Sequence, residues 1–276
     1  MTGAPVEFIP PYSEEVKFDD ILPSLGLSMR PWDAHMFYLS YAEGLSAPRT
    51  DNLYAVVRNP IDNSIVRPTP ESETTKAYDL GWRLNHPTTI ASFAIYQIDY
   101  TNRIVSTFNS DLGYSEDRNV GDVKVKGFDA QLGHRFGSAF ELTASASYND
   151  SELLGSLNPA LDGKKLVETP EWTFAARMDL AVTDNLHVGM QGKNVGDRFA
   201  TDNNDEVAPG YTVVDLDIAY TFKVPGLQSA QLQVNVTNLL DEEYFGNISS
   251  GSGGTSVAFY SIGSPRTATA SVKFNF

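Results

Sequence analysis

Cysteine is absent from this 276-residue chain. Its absence excludes a disulfide scaffold, Cys-ligated zinc, iron–sulfur ligation and thiol catalysis, without fixing the redox compartment. Basic residues are scarce. Lys plus Arg is 20 against 35 for Asp plus Glu, a formal charge of −15. A nucleic-acid binder needs a basic footprint, so that class is disfavoured. No run approaches the roughly 18 to 20 uninterrupted apolar residues of a spanning helix. A transmembrane barrel survives that test, because its apolar surface sits on alternate residues. The opening TGAPVEFIPPYSEEVKF has neither the basic nor the apolar region of a secretory signal. HExxH, GxSxG and Walker patterns are also missing.

What is present is a period of two. Hydrophobic residues make up 41% and charged residues 20%, which excludes a disordered polymer. At the C-terminus Ala268, Ala270, Val272, Phe274 and Phe276 alternate with Thr267, Thr269, Ser271, Lys273 and Asn275. The same alternation runs through Ala230–Val236, Thr212–Phe222, Trp172–Leu180, Phe140–Tyr148, Phe128–Phe136 and Tyr78–Leu84. It is weakest over Ile90–Tyr100, where Phe93 and Ile95 fall on the intended polar side. The even-numbered apolar series from Trp172 to Phe276 is read as facing lipid. Arg177, Asp215, Asp217, Gln233 and Lys273 are read as facing a lumen.

The connections have a second regularity. Short links at Arg30–Asp33, Asn85–Pro87, Gly137–Ala139, Thr183–Asn185 and Lys223–Leu227 alternate with long ones at Ser46–Glu73, Ser110–Asp117, Leu153–Glu168, Ala200–Pro209 and Leu239–Ser264. All tight turns then lie at one end of a sheet and all long loops at the other, as in an outer-membrane barrel; a soluble sandwich has no reason to keep that order. Strands of about 10 to 18 residues, with aromatics such as Trp32, Trp82, Phe136, Phe140, Trp172, Phe222 and Phe274 near their ends, fit interface girdles. About eleven strands are expected, the first near Asp20–Arg30 and the last near Arg266–Phe276. An odd number does not close a bacterial barrel, which points to a partial one.

The motifs FYLSYAEGLSAP (Phe37–Pro48), ILPSLG (Ile21–Gly26), PESETTKAYDLG (Pro70–Gly81), DYTNRI (Asp99–Ile104), KGF (Lys126–Phe128), NVTNLLDEEYF (Asn235–Phe245) and YSIGSPR (Tyr260–Arg266) occur in that setting. In order along nearly the whole chain, they resemble the C-terminal half of the barrel of TonB-dependent outer-membrane receptors. The resemblance implies an all-β, antiparallel up-and-down transmembrane barrel, of which residues 1–276 are the C-terminal portion, about half of 22 strands. The family's signal peptide, TonB box and plug domain are expected to lie outside it. Implied with the family are a place in the Gram-negative cell outer membrane and TonB-dependent uptake of a ferric siderophore or similar iron complex. The implied partners are that ligand, TonB acting through the missing plug, lipids and lipopolysaccharide, and the outer-membrane assembly machinery. No nucleic acid, enzymatic activity, metal or cofactor is expected. A piece of this kind is not expected to transport alone. The alternatives are a passive porin-like channel, or another cargo such as cobalamin or an oligosaccharide.

Candidate ligand contacts lie in the first long loop, where Arg49, Tyr54, Arg58 and Arg67 offer forked donors and a phenol to anionic oxygens. His35, His86 and His187 sit near short turns and His134 on the lipid register, so they are read as interface or turn residues. Asp202-Asn203-Asn204-Asp205-Glu206 has oxygen ligands suited to calcium, although turn chemistry accounts for the run without an ion. The stretch SSGSGGTS in the last long loop reads as mobile. By the same resemblance, Phe276 is expected to act as the terminal aromatic assembly signal.

Overall fold

The computed structural model describes residues 13, 15–48, 57–58, 65–66, 71–109, 114–119, 121–155, 159–250 and 258–276. The strands begin with β1 (Ser24–Met29), β2 (His35–Ser46), β3 (Val57–Arg58), β4 (Ile65–Val66) and β5 (Glu73–His86). Next come β6 (Thr89–Thr101), β7 (Ile104–Asn109), β8 (Tyr114–Asn119), β9 (Asp122–Phe136) and β10 (Phe140–Leu154). A single 3-10 turn at Pro159–Leu161 precedes β11 (Trp172–Ala181), β12 (Leu186–Val195), β13 (Arg198–Phe199) and β14 (Val207–Ala208). The last are β15 (Tyr211–Phe222), β16 (Ser229–Thr237), β17 (Phe245–Ser250), β18 (Ala258–Ile262) and β19 (Thr267–Asn275).

Among the described residues, eleven strands form one open antiparallel sheet in the order β1-β2-β5-β6-β9-β10-β11-β12-β15-β16-β19. The other eight strands pair as β3–β4, β7–β8, β13–β14 and β17–β18 inside the long connections. The alternation of short and long links holds throughout, and the longest strand has 15 residues rather than 18. Two of the short turns, β9–β10 and β15–β16, reverse on a glycine. Gly137 and Gly226 adopt φ of 67° and 84°, which a Cβ would oppose.

Strand pairing lays the two periods side by side. Leu39, Leu80, Ile95, Phe128, Tyr148 and Trp172 form one continuous cross-strand row. Nearer the short turns, Phe136, Phe140, Leu180, Val188, Ile218, Val234 and Ala270 form another. Leu39, Leu80, Phe93, Ile95, Leu132, Phe174, Leu180 and Val272 are 42–52% exposed, so no second layer covers this face. A soluble sandwich would bury such a face. From Phe140 to Tyr148 the band spans about 26 Å along the strand, or about 20 Å at a tilt near 40°, close to a barrel's apolar belt. Aromatics mark its edges. Phe93, Phe128, Tyr148, Trp172 and Phe174 make successive ring contacts on the loop side. Phe136 stacks on Phe140 at 5.4 Å on the turn side.

β6 corrects one expectation. Phe93 pairs with Trp82 and Ala130, and Ile95 with Leu80 and Phe128, so both belong to the apolar face. Ile90, Ser92, Ala94 and Tyr96 take the polar face instead. The strand has apolar residues in both series, and only its neighbours' register decides between them.

Buried apolar side chains are few, and all but Ala230 lie at the loop end. Val123, Leu153 and Leu161 form one small core with Tyr100, Val125 and Leu166. Ala200, Ala208 and Ile248 form a second with Phe245, Ala258 and Tyr260. The loops therefore carry their own cores, while the sheet leaves its large apolar face uncovered.

Candidate functional site

The opposite face of the sheet is polar. One row reads Arg135, Glu141, Asp179, Gly189, Asp217, Asn235 and Thr269 across seven strands. Arg177 on β11 grips Asp179 through Nε at 2.9 Å and reaches past β12 to Asp217 on β15 at 3.0 Å. Gly189 lies beneath that crossing. A Cβ there would meet Arg177 Nη2 and Asp217 Oδ1 at 2.5 Å, so any larger residue on the intervening strand would displace one end of the bridge. One step toward the loops, Gln191 donates to Asp215 at 2.8 Å, and the other Asp215 oxygen accepts the Asn238 amide at 2.8 Å. Above them opens a hollow of about 400 Å³, lined by Gln131, Thr143, Arg177, Gln191, Lys193, Tyr211, Asp215 and Tyr244 among others. It offers forked and amide donors, carboxylates and two phenol rings, a set that suits a polar ligand.

The loop end of this hollow is tied by the motifs near the C-terminus. Asn238 is buried, donates Nδ2 to the carbonyls of Glu242 and Ser264 at 2.9 and 3.0 Å, and accepts the Glu242 amide at 2.9 Å. Asp241 accepts the Arg266 amide at 3.1 Å and its guanidinium at 3.3 Å. Tyr244 stacks on Tyr211 at 4.3 Å, with its ring filling the space a Cβ on Gly263 would occupy. NVTNLLDEEYF and GSPR, distant in sequence, thus form one knot at the root of the last long connection.

Three long connections are joined further out. Asn204 accepts the Lys165 amide at 2.7 Å and donates to the Lys165 carbonyl at 3.1 Å. Lys165 Nζ bonds Asp150, which raises the lysine's pKa against the opposing effect of burial. Arg198 is buried over the Tyr211 ring and donates to the Phe245 carbonyl at 2.7 Å. Tyr260 donates to Glu206. Burial first, then that carboxylate, push the phenol up to about 12. At the other long loop, buried Glu73 accepts two bonds from Arg103 at 2.8 Å and one from the Ile104 amide at 2.7 Å.

The sequence-derived site residues fare differently. Arg49, Tyr54 and Arg67 lie outside the described residues. Only the backbone of Arg58 is described, paired with Ile65 in β3–β4, so its side chain lies outside as well. Most of SSGSGGTS also lies outside. In the Asp202–Glu206 run, Asp205 accepts from Thr201 at 2.5 Å, Asn204 holds Lys165, and Glu206 holds Tyr260. Among the described residues no three His, Asp or Glu side chains gather as a metal set. Two of the histidines are bonded within the sheet: Trp82 Nε1 donates to His35 at 3.1 Å, and His134 bonds Thr89 at 2.8 Å while packing on Phe136. Phe276 is 88% exposed just past β19, at the short-turn end. Sequence reasoning placed Arg177, Asp215 and Asp217 on the polar face. It missed Tyr211, Tyr244 and the glycine under the bridge, because their partners are set by strand register and loop docking.

A family model described as "TonB dependent receptor-like, beta-barrel" matches residues 5–239. The ferrioxamine B receptor of Salmonella typhimurium is 26% identical over 189 residues, covering 67% of this chain and 25% of that protein. The probable TonB-dependent siderophore receptor PiuA of Acinetobacter baumannii is 25% identical over 254 residues, covering 85% of this chain and 32% of that protein. The crystal structure of the siderophore receptor PiuA from Acinetobacter baumannii overlays with a TM-score of 0.71 at 19% identity, over 91% of this chain and 35% of that one. This chain therefore spans a quarter to about a third of the length of these relatives.

Proposed function

The chain belongs to the TonB-dependent receptor-like β-barrel family of the Gram-negative cell outer membrane, and on that footing we propose that it is the C-terminal part of a receptor wall for uptake of a ferric siderophore or similar iron complex. The observation that carries this reading is the opposition of the two faces. One is an uncovered apolar belt edged by aromatics. The other is a charged and amide-rich wall that ends in a hollow under interlocked loops. The named relatives, both siderophore receptors, supply the cargo class. Catalysis is no part of the proposed role: the carboxylates of the wall, Asp179, Asp215 and Asp217, are paired with Arg177, Gln191 and the Asn238 amide. In this reading uptake is energised by TonB acting through a plug domain that the barrel wall surrounds.

Arg49, Tyr54, Arg58 and Arg67 are the proposed outer contacts, and Phe276 the proposed assembly signal. The test places the chain, with the strands and plug that complete its receptor, in iron-starved cells lacking other siderophore receptors. Labelled ferrioxamine B serves as the first probe, followed by a catecholate and a carboxylate complex. Energy-dependent accumulation of at least one is expected, with loss when TonB is removed. Leakage of small solutes without any TonB-dependent uptake would replace the receptor with a passive channel. Deletion of Phe276 is expected to reduce insertion in cells while leaving refolding into detergent nearly normal.

A further inference from the structure

From β9 to β15, the sheet's polar face pairs its lysine and arginine side chains among the described residues, with one exception. Arg135 is held by Glu141, and Arg177 by Asp179 and Asp217. Lys193 on β12 is exposed and makes no hydrogen bond or ion pair with any described residue. Register explains the difference. Its cross-strand partners are Ala175 and Val213, whose side chains accept nothing. Asp215, the next carboxylate along β15, is already engaged on both oxygens, by Gln191 and by the Asn238 amide, each at 2.8 Å.

Lys193 lines the hollow of about 400 Å³, whose charged residues are Arg177, Lys193 and Asp215. Its row runs Gln131, Ser145, Ala175, Lys193 and Val213 across five strands. Ser145 and Ala175 are too short to fill the space beside the lysine. Ala175 stands three residues beyond Trp172, about 10 Å below the aromatic edge, so Lys193 lies at the height of the apolar belt but on the opposite face. Ionisable groups at membrane depth face water and mark ligand paths. The volume falls within the roughly 300 to 1,000 Å³ of small-molecule pockets, which favours a small ligand over a flat protein surface.

We propose that Lys193 anchors anionic oxygens of the cargo in this hollow, so that the wall favours complexes of net negative charge over neutral ones. The proposal rests on the receptor reading and names a charge class within it. The lysine ammonium is a compact point charge with three donors, and no wall carboxylate competes for it. Across the hollow Gln131 and Thr143 add an amide and a hydroxyl, and Tyr211 and Tyr244 close its loop end with stacked rings. In a ferric tris-catecholate, three dianionic groups outweigh the charge of Fe³⁺ and leave a partner for Lys193. In a ferric tris-hydroxamate, three monoanionic groups only cancel it.

The test uses the completed receptor, purified in mild detergent and treated with methyl acetimidate, with amidination of Lys193 read by peptide mass spectrometry. Lys193 is expected to react freely without ligand. A saturating ferric tris-catecholate, or ferric citrate as a second anionic probe, should slow its reaction at least about fivefold, in keeping with one partly exposed charged contact. A ferric tris-hydroxamate should leave it reactive, and Lys223 in a short turn should react alike throughout. Lys193→Gln should weaken binding of the anionic probe at least about fivefold, and Lys193→Arg should restore most of it. A Lys193 that is unreactive before any ligand is added would mean that the plug claims it, and would overturn the proposal. Protection by neither anionic probe, or equal protection by the neutral complex, would overturn it too, as would wild-type affinity in Lys193→Gln. The amidination readout needs neither TonB nor transport, so a receptor that fails to accumulate iron would be distinguished from a hollow that fails to bind.

Discussion

Gly189 shows how a missing side chain organises a charged wall. Arg177 and Asp217 sit on strands that do not pair with each other, and they meet only because nothing projects from β12 between them. Both are partly exposed, with side-chain exposures of 37% and 33%, so the pair is worth about 1 kcal/mol or less. Gly189→Ala is expected to lower refolding stability by about that amount, read as a shifted urea midpoint. In an Asp217→Asn background the same change should cost little, and an additive double mutant would show that the crossing is not what Gly189 serves. Tyr260 supplies a pH-dependent counterpart at the loop end. Its phenol is raised from 10.0 to about 12, so the folded state holds the proton more tightly than the unfolded state. The stabilisation is full below pH 10 and is lost as pH rises through about 12. Tyr260→Phe should speed amide exchange in β17–β18 at neutral pH and abolish that alkaline transition. An unchanged exchange profile would mean the Ile248 core alone seats the hairpin.

Val234 and Gln233 test the assignment of faces along a single strand. Val234 pairs with Ile218 and Ala270 on the apolar side, and Gln233 with Ala219 and Ser271 on the other. Val234→Arg is expected to cost about 2 to 4 kcal/mol near mid-membrane, whereas Gln233→Arg should be mild. Refolding of the completed receptor into lipid measures both, and equal tolerance would refute the assignment. β16 was legible in the sequence because its alternation is clean and a one-residue slip would carry every apolar side chain to the wrong face. The strand count and the order of short and long links were legible for the same kind of reason, since both follow from local turn chemistry and period. β6 was not, because Ile90 and Ile98 compete with Phe93 and Ile95 and only pairing with β5 and β9 settles the contest. The polar wall was half legible. Arg177, Asp215 and Asp217 announce a face, but Asp217 lies 40 residues from Arg177 and Gln191 lies 24 from Asp215, so these cross-strand pairings depend on register. The knot of Asn238, Asp241 and Arg266 was visible as motifs, not as a contact.

The open sheet constrains what must complete it. β1 runs from the loop end to a short turn, and β19 likewise runs toward the short-turn end. With eleven strands between and including them among the described residues, the two outer strands point the same way, so they cannot close on each other as an antiparallel pair. A second copy placed coaxially in the same sense meets the same obstacle, because its β1 would lie parallel to the first copy's β19. Each edge exposes a row of amide and carbonyl groups, and in hydrocarbon every unpaired group costs several kcal/mol. Antiparallel closure needs an odd number of further strands entering between β19 and β1, and eleven of them would give the even total that the family resemblance implies. The chain by itself, refolded in detergent, is therefore expected to give no compact band that shifts on heating in an electrophoretic gel, and no steady conductance in a planar bilayer. Addition of a polypeptide carrying the complementary strands should restore both. A heat-modifiable, conducting species formed by this chain alone would show that the edges pair in some other way, and would remove the parity constraint from the account of the barrel.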